Sequence, residues 1–151
     1  MSIRRAVEYN MKVRIDPTFQ GSVYKIVESL RQEERPVPGI LIVAGDAVPA
    51  YDVGDYTGNY MVPFNVVILS NVDKQTVDEH NNTVQQVIGI LRDPNSRGQS
   101  VIDGLYLYAI HTQGIAEDNG DRKMGVVISY QAVVNYAPDL SSDPANNPPG
   151  A

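Results

Sequence analysis

Two side chains of this sequence could carry acid–base or metal chemistry near neutral pH, His80 and His111, and there is no cysteine. His80 stands in the stretch "TVDEH", directly after Asp78 and Glu79. Histidine beside carboxylates is the material of a hydrolytic metal site or of a general acid–base pair. Such chemistry needs ligands that converge on one point. On a helix, Asp78 lies two residues from His80 and therefore on a different face. Thr76 and Glu79 also have the spacing of a capping box, in which the threonine oxygen accepts from the amide three residues on. Asp78 in the first turn complements the helix dipole. The stretch therefore reads as the start of a helix. His80, three residues after Val77 and four before Val84, belongs to the apolar stripe of that helix.

His111 falls in a strand-like run without a carboxylate near it in sequence. A small α/β enzyme with His80 and His111 in one pocket is the catalytic alternative, and a ligand- or peptide-binding accessory domain is a third reading. Other chemical motifs are missing. "GDAVPAYDVGDYTG" matches neither a phosphate loop nor a dinucleotide fingerprint. "EDNGD" lacks calcium-loop spacing and is explained by a turn. No catalytic residue, cofactor or metal is expected.

The elements that must position these residues follow from periodicity. Ile3, Val7, Met11 and Ile15 have helical spacing, and "DP" then redirects the chain. Phe19, Val23, Ile26, Val27 and Leu30 predict a second helix, ended by "RPVPG". "GILIVAGDAV" reads as a strand, "PAYDVGDYTGN" as a loop, and "YMVPFNVVILSNV" as the clearest strand, with Pro63 suited to an edge or bulge. The helix opened by Thr76 buries Val77, Val84, Val87, Ile88 and Leu91 and stops before Pro94. A hairpin closes the fold, its two long strands joined at "DNGDR", where Asn119-Gly120 is a strong turn signal. In its last strand Val126, Ile128, Tyr130, Ala132, Val134 and Tyr136 share the core face. The expectation is an α+β domain over residues 1–137. It has a single mixed or antiparallel sheet of about four to five strands, helices packed on one face and a long C-terminal β-hairpin.

Bulk properties narrow the function classes. A chain of 151 residues builds one core, and no apolar run is long enough to span a membrane. The N-terminus lacks the apolar stretch of a signal peptide, so secretion is not expected. Lack of cysteine excludes disulfide scaffolds and thiolate chemistry and fits a cytoplasmic protein or a redox-tolerant particle. A net charge of −6 argues against general nucleic-acid binding.

Several residues suit subunit or partner contacts. Arg4, Arg5, Lys12 and Arg14 make the first fifteen residues basic. Tyr51 and Tyr56 sit in a polar loop and Tyr60 beside it, where amphipathic rings serve contact surfaces. Arg122 and Lys123 form a basic hairpin tip. Residues 138–151 have the composition of disorder and read as an extended arm over a neighbouring subunit, anchored at Leu140, with Asp139 or Asp143 facing the basic first helix.

Taken with the strand "NVVILSNVD", the Asp78 and His80 helix start and the closing strand "ISYQAVVNY", this order of elements resembles the tail terminator (tail completion) proteins of long-tailed bacteriophages. The resemblance spans roughly residues 20 to 136; the helix over 3–15 and the proline-rich tail lie outside the common pattern. It implies a virion protein made in the host cytoplasm. In the virion it would form a homo-oligomeric ring, usually of six subunits, that caps the tail tube and joins it to the neck. Its partners would be the tube protein and a stopper or neck protein. DNA would pass through an acidic lumen without specific binding. Stoppers and adaptors of the neck are the related alternative.

Overall fold

The computed structural model describes residues 2–28, 35–50, 59–92 and 104–137. Helix α1 (Ile3–Ile15) starts where the Ser2 hydroxyl accepts the Arg5 amide at 3.3 Å. It buries Ala6, Val7, Met11 and Ile15. A short 3-10 turn over Asp16–Phe19 follows, with proline in its first positions. The strands are β1 (Lys25–Glu28), β2 (Gly39–Ala44), β3 (Val48–Pro49) and β4 (Asn59–Asn71). Helix α2 (Val77–Arg92) precedes β5 (Leu105–Glu117) and β6 (Lys123–Tyr136).

One six-stranded sheet runs in the order β1-β2-β4-β6-β5, with β3 also paired to β4. Only β1 and β2 are parallel. Alternation along the strands explains the layers. Ile40 and Ile42 of β2, Val62, Phe64, Val66 and Ile68 of β4, and Ile128 and Val134 of β6 pack with α1 and α2 in one cluster. Leu41, Val67 and Leu69 form a smaller cluster with Val27 and Val127 on the opposite face. The fold class is the expected α+β sheet with a long closing hairpin, with more strands than expected.

The added strand is a correction. Residues 25–28 form β1 where the spacing of Phe19, Val23, Ile26 and Val27 predicts a helix. Gly21 adopts φ +78°, which breaks the helical path, and Val23 is 70% exposed. Ile26 packs with the helix-side cluster and Val27 with the opposite one. Adjacent apolar residues mark a strand buried on two faces as well as they mark a helical stripe. Leu30 lies outside the described residues.

Pro63 is accommodated within a central strand. β2 ends its pairing at Ala44 opposite Phe64, and β3 resumes at Val48 opposite Met61. The Pro63 carbonyl accepts from Gly45 at 2.7 Å in the gap between them, where its missing N–H is not needed.

The hairpin turns beside the expected pair. Gly120 and Lys123 exchange backbone hydrogen bonds at 3.2 and 3.3 Å, so Asp121 and Arg122 are the turn residues. Arg122 takes the positive φ of 56°.

Candidate functional site

His80 is 5% exposed, on the buried face of α2. The cap that starts this helix is the one read from "TVDEH": the Thr76 hydroxyl accepts the Glu79 amide at 3.1 Å and donates to its carboxylate at 3.3 Å. Val77 departs from the predicted stripe and is 62% exposed, because it falls in the first turn, at the rim of the interface. The rest of the stripe, Val84, Val87, Ile88 and Leu91, is buried.

A buried hydrogen-bonded chain reaches the histidine from the sheet. Its Nδ1 lies 2.6 Å from the Ser70 Oγ, which lies 2.5 Å from the Tyr24 hydroxyl. Ser70 ends the apolar run of β4 and is fully buried. A serine beside a histidine is the beginning of a nucleophilic pair. Here the hydroxyl is closed to substrate and already holds two partners. The three side chains therefore join the segment before β1, strand β4 and helix α2. Burial lowers the His80 pKa, and the Glu117 carboxylate opposes that shift in part. The ring is held in a clamp, with no second hydrogen bond from it among the described residues.

Beyond the clamp lies a cleft of about 240 Å³ between α2 and the β5–β6 hairpin, lined by Val77, His80, Asn81, Glu117, Asn119, Met124, Gly125 and Val126. The hairpin is shaped for it. Asn119 accepts the Gly125 amide at 3.0 Å and approaches Glu117 at 3.5 Å. Gly125 permits a close crossing, since a Cβ there would stand 2.1 Å from the Asp118 carbonyl oxygen.

The two histidines do not share this cleft. His111 pairs with Gln131, whose neighbours Tyr130 and Ala132 face the helices, so His111 is on the other face of the sheet and exposed. A pocket built from both is excluded by strand alternation. Among the described residues no group of three or more His, Asp or Glu is arranged to hold a metal ion.

The residues read as contact surface are distributed differently. Arg4 donates to the Ala44 carbonyl from Nε and Nη2, at 3.2 and 2.9 Å, and lies 3.6 Å from Asp46. Arg5 lies 3.8 Å from Glu28, and Arg14 donates to Asn10 at 2.6 Å. The basic helix thus spends its charge largely on its own sheet. The Arg122 side chain lies 3.9 Å from Asp73 and is 84% exposed, while its carbonyl accepts the Val72 amide at 3.0 Å, and Lys123 beside it is half-buried. Tyr60 packs against the core. Tyr51, Tyr56, Asp139, Asp143 and Leu140 lie outside the described residues. Sequence reading missed Tyr24, Ser70, Glu117 and Asn119. A serine closing the apolar run "VVILS" was the one local sign of a buried polar partner.

No protein-family model and no curated protein matches the chain. The fold does match solved structures. A chain from the virion of a native gene transfer agent particle is 12% identical with a TM-score of 0.57, over 87% of this chain and 96% of that one. A second solved chain is 17% identical with a TM-score of 0.55, over 89% of this chain and 97% of that one.

Proposed function

We propose that this chain is a structural protein of a phage-type virion, and within it the tail terminator: a ring, of six copies in the resembled family, that caps the tail tube and joins it to the neck. The observation that carries the reading is the mutual coverage with the gene transfer agent virion chain, in which the two chains share a fold over nearly their whole lengths. A fold shared over 87% of this chain and 96% of that one supports a common architecture more than a locally shared motif would. Fold alone does not fix function, so further support must come from the site. Ser70 is sealed and His80 is clamped, which suits a structural part better than a hydrolase. The net charge of −6 suits a lumen through which DNA slides without sticking. A stopper or adaptor of the neck is the second reading, since a virion origin favours it equally.

Native mass spectrometry of the purified chain, with electron microscopy of the same sample, tests the proposal. A six-membered ring with an axial hole that binds the ends of isolated tail tubes is the expected result. A ring that binds the head-side connector and ignores tubes points to the second reading. A chain that stays monomeric at micromolar concentration and binds neither overturns both.

A further inference from the structure

We propose that Asn119 is a self-modifying site, a deamidation site at the end of the β5–β6 hairpin that reacts only when that end opens. Asn119-Gly120 is the one Asn-Gly pair in the sequence. An asparagine carboxamide is open to attack by the backbone nitrogen of the next residue, and a glycine there removes the side chain that would block the approach. Both residues are exposed to the water that the reaction consumes. The Gly120 amide gives its proton to hydroxide, and its nitrogen bonds to the Asn119 Cγ. The bond from Cγ to Nδ2 breaks, and ammonia leaves with a proton taken from water, which restores the hydroxide. Water then opens the cyclic imide at either carbonyl carbon, giving aspartate or isoaspartate. The sum is carboxamide plus water to carboxylic acid plus ammonia, with nothing oxidised or reduced.

The closed hairpin restrains both reacting groups. The Gly120 amide hydrogen, which must leave, is bonded to the Lys123 carbonyl at 3.2 Å. The Asn119 Oδ1 accepts the Gly125 amide at 3.0 Å, which ties the carboxamide across the hairpin, and its Nδ2 faces the Glu117 Oε2 at 3.5 Å. Imide formation has to give up the first two of these bonds. They lie at the end of an edge hairpin in which residues 111–122 are all exposed. Such an end opens at a small fraction of the global unfolding free energy. Opening is fast beside the chemistry, so the rate follows the opened population.

Neither product suits the closed hairpin. The Asp118 amide is bonded to the Gly125 carbonyl at 2.9 Å, and a Cβ on Gly125 would collide with the Asp118 carbonyl oxygen. Isoaspartate adds a methylene to the main chain beside this tight crossing. Aspartate keeps an acceptor for the Gly125 amide but replaces the donor facing Glu117 with a like charge. Ammonia is lost, so each conversion is permanent and the hairpin end loosens as the chain ages. This inference does not rest on the virion reading.

The test is peptide mapping by mass spectrometry of the full chain held in mildly alkaline buffer, with the aspartate and isoaspartate forms separated by chromatography. The expected result is conversion at Asn119, slower in the folded chain than in the urea-unfolded one, and none at that position in Asn119→Gln. Gly125→Ala leaves the Asn-Gly pair untouched but crowds the crossing, and should speed the conversion about fivefold or more. Urea below the unfolding transition should speed it in the parent, which keeps the gate testable if Gly125→Ala does not fold. A folded chain that converts as fast as the unfolded one overturns the gate, as does a rate that neither change moves. No conversion at Asn119 while the unfolded chain converts fully overturns the site.

Discussion

The carboxylate of Glu8 accepts the backbone amide of Ala44 at 2.9 Å across 36 residues of sequence, and both are buried. From the preceding turn of the same helix Arg4 donates to the carbonyl of that same Ala44. The amide and the carbonyl of Ala44 point away from β4, since the next residue, Gly45, is the one bonded to Pro63. β1 pairs only as far as Ile42, so the helix supplies the partners that a strand would otherwise give. Glu8→Ala leaves a buried amide unsatisfied and should cost about 1–3 kcal/mol. Glu8→Gln keeps an acceptor and should cost less. Urea denaturation of the two variants checks this, and equal losses would mean that the charge, not the acceptor, matters.

The apolar stripe of α2 makes a paired prediction. Leu91 is 3% exposed in the cluster between helix and sheet. Leu91→Ala should cost about 2–5 kcal/mol. Val77, at 62% exposure, should cost within about 0.5 kcal/mol as Val77→Ala. Thermal or chemical unfolding that ranks them the other way would reverse the assignment of the buried face.

These two residues also mark the reach of the sequence. Leu91, Val84 and Val87 were legible because burial repeats along several turns. Val77 was misread because the first turn of a helix projects past the layer it packs on, which periodicity does not record. β1 was lost for a related reason: Ile26 and Val27 face opposite sides of a sheet, yet their adjacency also satisfies a helical pattern. The paired faces of β6 were plain from period-two alternation. The clamp was not legible, since Tyr24 and Ser70 stand 46 positions apart and meet only through the pairing of β1, β2 and β4. His80 as a structural histidine could be argued from its place on the stripe. What it touches could not.

Two glycines should respond in opposite directions. A Cβ at Gly125 would meet the Asp118 carbonyl oxygen at 2.1 Å, against backbone that cannot rotate aside. Gly125→Ala should cost about 1–3 kcal/mol, as overpacking does. Gly89 lies inside α2 with nothing within 4 Å of its added Cβ. Gly89→Ala should stabilise by about 0.5–1 kcal/mol through lower backbone entropy and better helix propensity. Melting temperatures that move the same way for both would contradict the hairpin geometry or the exposure of that helix face.

The last prediction concerns acid. Burial lowers the His80 pKa below its ordinary value near 6.5, and Glu117 partly offsets this. The unfolded chain therefore binds a proton at a pH where the native clamp still refuses it. Stability from this group is present above about pH 6.5 and falls as pH drops through the interval below it. Glu117→Gln removes the charge that opposes the shift, so the loss should continue to lower pH. His80→Asn removes the titrating group and should flatten that interval, at a cost of about 1–2 kcal/mol at neutral pH for the altered bond to Ser70. Oligomer state should be unchanged in His80→Asn, because the bond that the ring makes through Nδ1 is to Ser70 of the same chain. Unfolding curves collected from pH 5 to 8 on the parent and both variants decide it. A parent whose stability is flat between pH 6.5 and 5, or a His80→Asn variant that keeps the parent's slope, would mean that His80 is not the group that acid reaches first.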